Sequence, residues 1–240
     1  MNHLFDKSIL AKNAVSADEA RASSLQFWRW CNSSDGHPEH YPDEEVVRFL
    51  GKAKKIGNRV LDLAFGSGKN TVAIADRGFE THGIDWSEPG LEYTNKRLQK
   101  FGHSASLKVA DFSKGPLPYE SGFFDAIVAI QVFDHLLQPE NDQLLAEAHR
   151  ILKPGGLMLA SLMSTKTSRK TRTGIPVTGQ DQCVVVSSGN SAGEIHRFFE
   201  YEQMESFLSQ KFRILQSTLI TITSDQTGDV AEAKYFILEK

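Results

Sequence analysis

The segment VLDLAFGSGKN (60–70) joins an apolar run to two glycines, Gly66 and Gly68, and then to residues that suit a helix. Glycines there let the backbone turn sharply and come close to a ligand. The first N–H groups of the following helix are free to meet a polar or anionic partner. Asp62 lies inside the apolar run, where a carboxylate needs company; loop amides or a bound cation are the expected partners. Two more acids close apolar runs, Asp85 in GIDWS (83–87) and Asp111 in VADFS (109–113). Asp85 suits both hydroxyls of a ribose. Asp111 followed by Phe112 suits the amino group and ring of an adenine.

Two nucleotide signatures fail against the letters. A dinucleotide fingerprint wants a third glycine at 71, where Thr71 stands. A phosphate loop wants Gly at 63 and Ser or Thr at 70, where Leu63 and Asn70 stand, so GSGK is a chance likeness.

The elements that position these residues follow from periodicity. Short apolar runs at 59–64, 79–85, 106–111, 124–130 and 157–163 alternate with helical stretches at 69–77, 87–101 and 139–153. That rhythm predicts a parallel sheet with right-handed crossovers. Ser87 is the expected N-cap of one helix, and Pro154-Gly155-Gly156 the expected break of another. The runs at 212–223 and 230–239 are joined by a segment too short for a crossover helix, so they are expected to pair antiparallel. Residues 1–57 read as a helical lid, with helices near 17–31 and from Pro42, and an aromatic cluster of Phe27, Trp28 and Trp30. Residues 164–193, rich in Ser, Thr, Gly and basic side chains, read as an insertion forming a flexible cover.

Composition sets limits. The chain has 240 residues, enough for one sizeable core. Its formal net charge of −3 supplies no global positive field for nucleic acid or membrane. No apolar run approaches the ~20 residues that span a bilayer. Two cysteines, Cys31 and Cys183, make no disulfide framework, and the start of the chain reads as no secretory signal. The expectation is a cytoplasmic protein.

Taken together, VLDLAFGSGKN, THGIDWS, VADF, FDAIVAIQVFDHL and EAHRILKPGGLMLASL resemble the class I S-adenosylmethionine-dependent methyltransferases in order and spacing. The likeness is close over 45–164. It implies an α/β fold, a Rossmann-like seven-stranded, mostly parallel sheet with an antiparallel C-terminal hairpin and helices on both faces. The methyltransferase domain would span 58–240.

The resemblance also implies a cofactor site for S-adenosylmethionine. Asp62, Ala64, Phe65, Gly66, Gly68 and Asn70 would surround its methionine end, and Asp85 its ribose. Trp86 and Ser87 would lie along the adenosine, and Asp111 and Phe112 at the adenine. Gln131 would line the cleft near the sulfonium, and Tyr41, with Trp28 and Trp30, would close over it. The family usually has Gly-Cys or Gly-Ala where this chain has Ala64-Phe65, which adds bulk beside the cofactor.

For catalysis, the candidates are Asp134 and His135 in the loop after the fourth strand, and His196 with Arg197 beyond the insertion. Histidine has the pKa range for a base when the acceptor is protonated. No metal is expected, since Cys31, His37 and His40 match no closed four-ligand spacing. The expected acceptor is a small molecule. One alternative is RNA or protein docked on the basic run Lys166, Arg169, Lys170 and Arg172; another is a cofactor-binding protein that transfers nothing.

Overall fold

Alternation along the short strands decides the architecture. Residues 7–32, 41–168, 174–188, 191–224 and 228–240 are described by the computed structural model. Seven strands form one sheet: β1 (Arg59–Leu63), β2 (Glu80–Asp85), β3 (Ser106–Val109), β4 (Phe124–Ala129), β5 (Leu152–Met163), β9 (Arg213–Thr223) and β10 (Val230–Glu239). Their order is β3-β2-β1-β4-β5-β10-β9. The first five run parallel, and β10 pairs antiparallel with both β5 and β9. The expected sheet and closing hairpin are therefore present.

Successive residues of a strand point to opposite faces. In β1, Val60 packs with Val46, Phe49 and Leu50 of α2 (Glu44–Ala53) and Ile74 of α3 (Lys69–Asp76). Leu61 and Leu63 pack on the other face with α5 (Gln138–Ile151) and α6 (Tyr201–Ser209). The sheet thus has helices on both faces. A further helix, α4 (Glu88–Lys100), follows β2, and Ser87 caps it by accepting the Gly90 amide at 3.1 Å.

Three boundaries differ from expectation. Helix α5 stops at Ile151, and Pro154-Gly155-Gly156 lie inside β5, where the register with β4 shifts. Pro42 precedes α2, whose N-cap is Asp43. The insertion holds regular structure: β6 (Gly174–Pro176) and β7 (Cys183–Val186) pair with β8 (Ile195–Arg197) in a small antiparallel sheet. The apolar CVVV run supplies the reason, since Cys183 and Val185 bury against Val15, Ala20 and Leu137.

The first helix, α1 (Ala17–Cys31), starts on a capping box in which Ser16 and Glu19 exchange hydrogen bonds with each other's backbone amides. Its Ser23 hydroxyl donates to the Gly193 carbonyl at 2.7 Å, which ties helix and insertion together. Among the described residues, no helix is long and apolar enough to cross a membrane.

Candidate active site

The loops that leave β1, β2, β3 and β4 gather at one edge of the sheet, where ligands sit in open α/β folds. A cavity of about 370 Å³ opens there. Ala64, Phe65, Gly66, Asn70, Asp85, Trp86, Phe112, Gln131, Tyr41 and His135 all line it, as expected from the sequence. Asp62, Gly68, Ser87, Asp111, Asp134, His196 and Arg197 do not.

The glycine turn is built on left-handed backbone. Ala64 has φ +60° and Gly66 φ +52°. A side-chain-bearing residue at such an angle carries strain of about 1–2 kcal/mol. Gln131, across the cavity, has φ +54°, and its amide donates to the Ser161 hydroxyl at 2.8 Å. Strained residues of this kind cluster at functional sites. Phe65 is nonetheless well housed. A Cβ on Gly83 would lie 2.8 Å from the Phe65 ring, so the ring occupies space that Gly83 leaves empty. The extra bulk goes mainly into the fold.

Asp85 closes the turn. One of its oxygens accepts the Gly66 amide and the other the Ser87 amide, both at 2.9 Å. Burial pushes its pKa up to about 6 against the pull of those amides. Each oxygen keeps a lone pair for a hydroxyl donor.

The residues outside the cavity have other duties. Asp62 points to the α3 face, where the Thr71 hydroxyl donates to it at 2.6 Å, so its partner is a helix side chain and not the loop amides. Burial raises its pKa to about 7. Gly68 begins α3 at φ +75°, and a Cβ there would lie 2.4 Å from Thr94 Cγ2 of α4. The glycine is needed for helix packing. Ser87 is spent on capping. Asp134 Oδ1 accepts the Met163 amide at 2.7 Å, so it braces β5, and burial raises its pKa to about 7. Arg197 donates to the Leu136 and Asp181 carbonyls and to Gln180, on the far face of β8 from His196.

The side chains expected at an adenine are engaged with other parts of the protein. Trp86 and Phe112 stack on each other with centroids 4.7 Å apart and planes at 13°. A third ring has no room between them. Asp111 is taken by Arg21 of α1 at 3.0 Å and by the Ser113 hydroxyl at 2.6 Å. Burial opposes ionisation of Asp111, but Ser113 and the Arg21 charge outweigh it and hold its pKa low. The Arg21 guanidinium also covers the Trp86 ring at 4.3 Å and meets Glu140 at 3.2 Å. Nothing in the spacing of α1 singles out Arg21, because its partners are 65 to 119 residues away in the chain.

The cap reaches the cavity through Trp28, whose ring meets the edge of His135 with centroids 4.8 Å apart. Tyr41 stands at the mouth, 92% exposed. Its segment is tied to the glycine turn by Asn70, which accepts the Asp43 amide at 3.2 Å, and by a 2.9 Å ion pair between Lys69 and Asp43. Trp30 packs on Phe27 and is not among the cavity residues. His135 is the one expected catalytic side chain on the cavity wall. A carbonyl only accepts, so the 2.8 Å contact with Ile195 O places a proton on Nδ1 and a lone pair on Nε2. Burial pulls its pKa down to about 4, so the ring is neutral near pH 7. His37, His40, Arg169, Lys170 and Arg172 lie outside the described residues.

The sequence profile of a family described as Methyltransferase domain matches residues 60–156. An uncharacterized methyltransferase of Geobacillus thermodenitrificans is 31% identical over 137 residues, 54% of this chain and 61% of that protein. A ubiquinone biosynthesis O-methyltransferase of Thiobacillus denitrificans is 27% identical over 153 residues, 63% of this chain and 65% of that protein. The match therefore spans less than two thirds of either relative. The structure of a SAM-dependent methyltransferase of Methanosarcina mazei superposes with a TM-score of 0.68 at 19% identity, covering 85% of this chain and 99% of that one. A 1,6-didemethyltoxoflavin-N1-methyltransferase of Burkholderia thailandensis, solved with bound 1,6-didemethyltoxoflavin and S-adenosylhomocysteine, gives 0.61 at 16% identity, covering 82% and 77%. These two structural likenesses show the shared fold. Residues 60–156 thus match a methyltransferase domain, the relatives of this chain are methyltransferases, and its fold is that of a SAM-dependent methyltransferase.

Proposed function

We propose that this protein transfers the methyl group of S-adenosylmethionine to a small-molecule acceptor bound in the same cavity. The observation that carries the reading is the shared cavity. The glycine turn, Asp85 and Trp86 meet Trp28 of the cap and His135 in one recess. A recess of this kind suits small molecules. The name of the ubiquinone biosynthesis O-methyltransferase relative supports the same choice.

The sulfonium is already an activated methyl donor. The protein's task is to align the acceptor with the S–CH₃ bond and to keep water away. In this reading the helical cap at 1–57 and the 164–193 insertion build the acceptor side, which fits the burial of Val15, Ala20 and Val185 in one cluster. His135 touches the acceptor, and Gln131 stands near the sulfonium. Asp134, His196 and Arg197 act from behind the wall. Among the described residues Cys31 and Cys183 form no disulfide, in keeping with a reducing compartment such as the cytoplasm.

Calorimetric titration with S-adenosylmethionine and with S-adenosylhomocysteine tests the first half. Binding of both is the expected result, and a folded protein that binds neither refutes the proposal. Transfer of labelled methyl to members of a small-molecule panel tests the second half. Transfer to RNA instead, lost steeply as salt rises, would move the acceptor to a macromolecule.

A further inference from the structure

His135, Glu194 and His196 form a cluster of ligating side chains that no local spacing in the sequence reveals. One ligand atom from each lies within 4.8 Å of the other two, and all three residues are buried. His135 comes from the short turn after β4. Glu194 immediately precedes β8 and His196 lies within it, two residues on, so extended backbone sets them on one face while Arg197 turns to the other. One Glu194 oxygen lies 2.9 Å from His196 Nε2, and the other 3.9 Å from His135 Nδ1.

The surroundings hold these donors in place. The Ile195 carbonyl accepts from His135 Nδ1, the kind of backbone partner that orients a metal-bound imidazole, and the lone pair for an ion then lies on Nε2. Helix α1 fixes the approach to β8 through Ser23 and through the Ser24 hydroxyl, which accepts the Ile195 amide at 3.4 Å. Among the described residues, His196 Nδ1 is buried with no hydrogen-bond partner. Such an orphan is costly, and ion binding is one setting in which an imidazole is kept there.

We propose that His135, Glu194 and His196 bind a divalent transition-metal ion of the Zn²⁺ and Co²⁺ class. Two imidazole nitrogens with one carboxylate oxygen suit such an ion, whereas Mg²⁺ and Ca²⁺ prefer all-oxygen sets. Three protein ligands leave a coordination position open. Because His135 also lines the cavity, the ion borders the acceptor region. That placement rests on the methyl-transfer reading, but the metal binding does not.

The test starts from full-length protein stripped with a chelator and then titrated with Co²⁺ alone. Visible absorption and elemental analysis follow uptake. The expected result is a single ion per chain, with affinity about tenfold or more weaker in Glu194→Gln and in His196→Gln. His103→Gln, remote from the cluster, should bind like the parent. Where a variant fails to fold, paramagnetic shifts of histidine ring protons in the parent chain identify the ligands. Parent protein that is folded yet takes up no Co²⁺ overturns the proposal. So do unchanged affinities in both variants, or histidine signals that do not shift. S-adenosylhomocysteine titration of the same samples separates the two readings. Metal uptake without cofactor binding would remove the methyl-transfer reading and leave the metal site standing, and the converse would remove the metal site alone.

Discussion

Replacing Asp85 by alanine separates stability from cofactor binding. The carboxylate is 2% exposed and accepts two backbone amides at 2.9 Å. Leaving two buried N–H groups without acceptors costs about 2–6 kcal/mol. An opposing effect offsets part of this. Burial raises the Asp85 pKa from 3.8 to about 6, so the charged form is disfavoured at neutral pH by roughly 3 kcal/mol, and the substitution relieves that. The net loss of stability should stay within about 3 kcal/mol, inside the margin of an ordinary domain. Cofactor binding has no such offset. Hydrogen bonds from two ribose hydroxyls to a carboxylate contribute about 1.5–3 kcal/mol each. Affinity should therefore fall by at least ~100-fold. Calorimetry with S-adenosylhomocysteine at pH 8, beside thermal unfolding, measures both. For the parent chain, affinity should weaken as pH drops through about 6, where Asp85 takes up its proton. A folded Asp85→Ala protein that binds within about threefold of the parent would show that Asp85 supports only the turn.

Three other outcomes are expected. Asp62→Asn should raise stability at pH 8 by a few kcal/mol. The folded pKa of Asp62 is raised by burial to about 7, so its favourable contribution is complete below about 4 and lost as pH rises through 7; denaturant unfolding at pH 4 and 8 checks that the advantage vanishes in acid. Gly68→Ala should lower stability by roughly 2–5 kcal/mol, from the φ of +75° and the 2.4 Å approach to Thr94, with partial recovery in the Gly68→Ala/Thr94→Ala double variant. His135→Ala should keep cofactor affinity within about threefold while methyl transfer slows by ~100-fold or more; equal turnover would take His135 off the cavity's working list.

How much of this was written in the linear chain follows from the range of each interaction. Strand alternation, turn glycines and a serine cap act over a few residues. The sheet, its closing hairpin, the Ser87 cap and the turn at Gly66 could therefore be read locally. The same holds for Asp85, which the turn presents to the cavity. Which way a side chain faces was not legible. Asp62 and Asp134 are acids at plausible positions, but alternation and packing aim one at Thr71 and the other at the Met163 amide. The PGG triplet looks like a helix stop because proline and glycine break helices, yet the strand absorbs it as an irregularity beside β4.

Contacts between distant segments were decided only by the tertiary structure. Arg21 reaches Trp86, Asp111 and Glu140 because α1 packs across the strand ends. His135 meets Glu194 and His196 because β8 lies against the turn after β4, some 60 residues away in the chain. Sequence by itself settled the class of fold and the glycine turn, since periodicity and backbone freedom are properties of neighbours. It left open which acids face the ligand and which histidines stand together, since those depend on burial and on the side chains brought near from elsewhere.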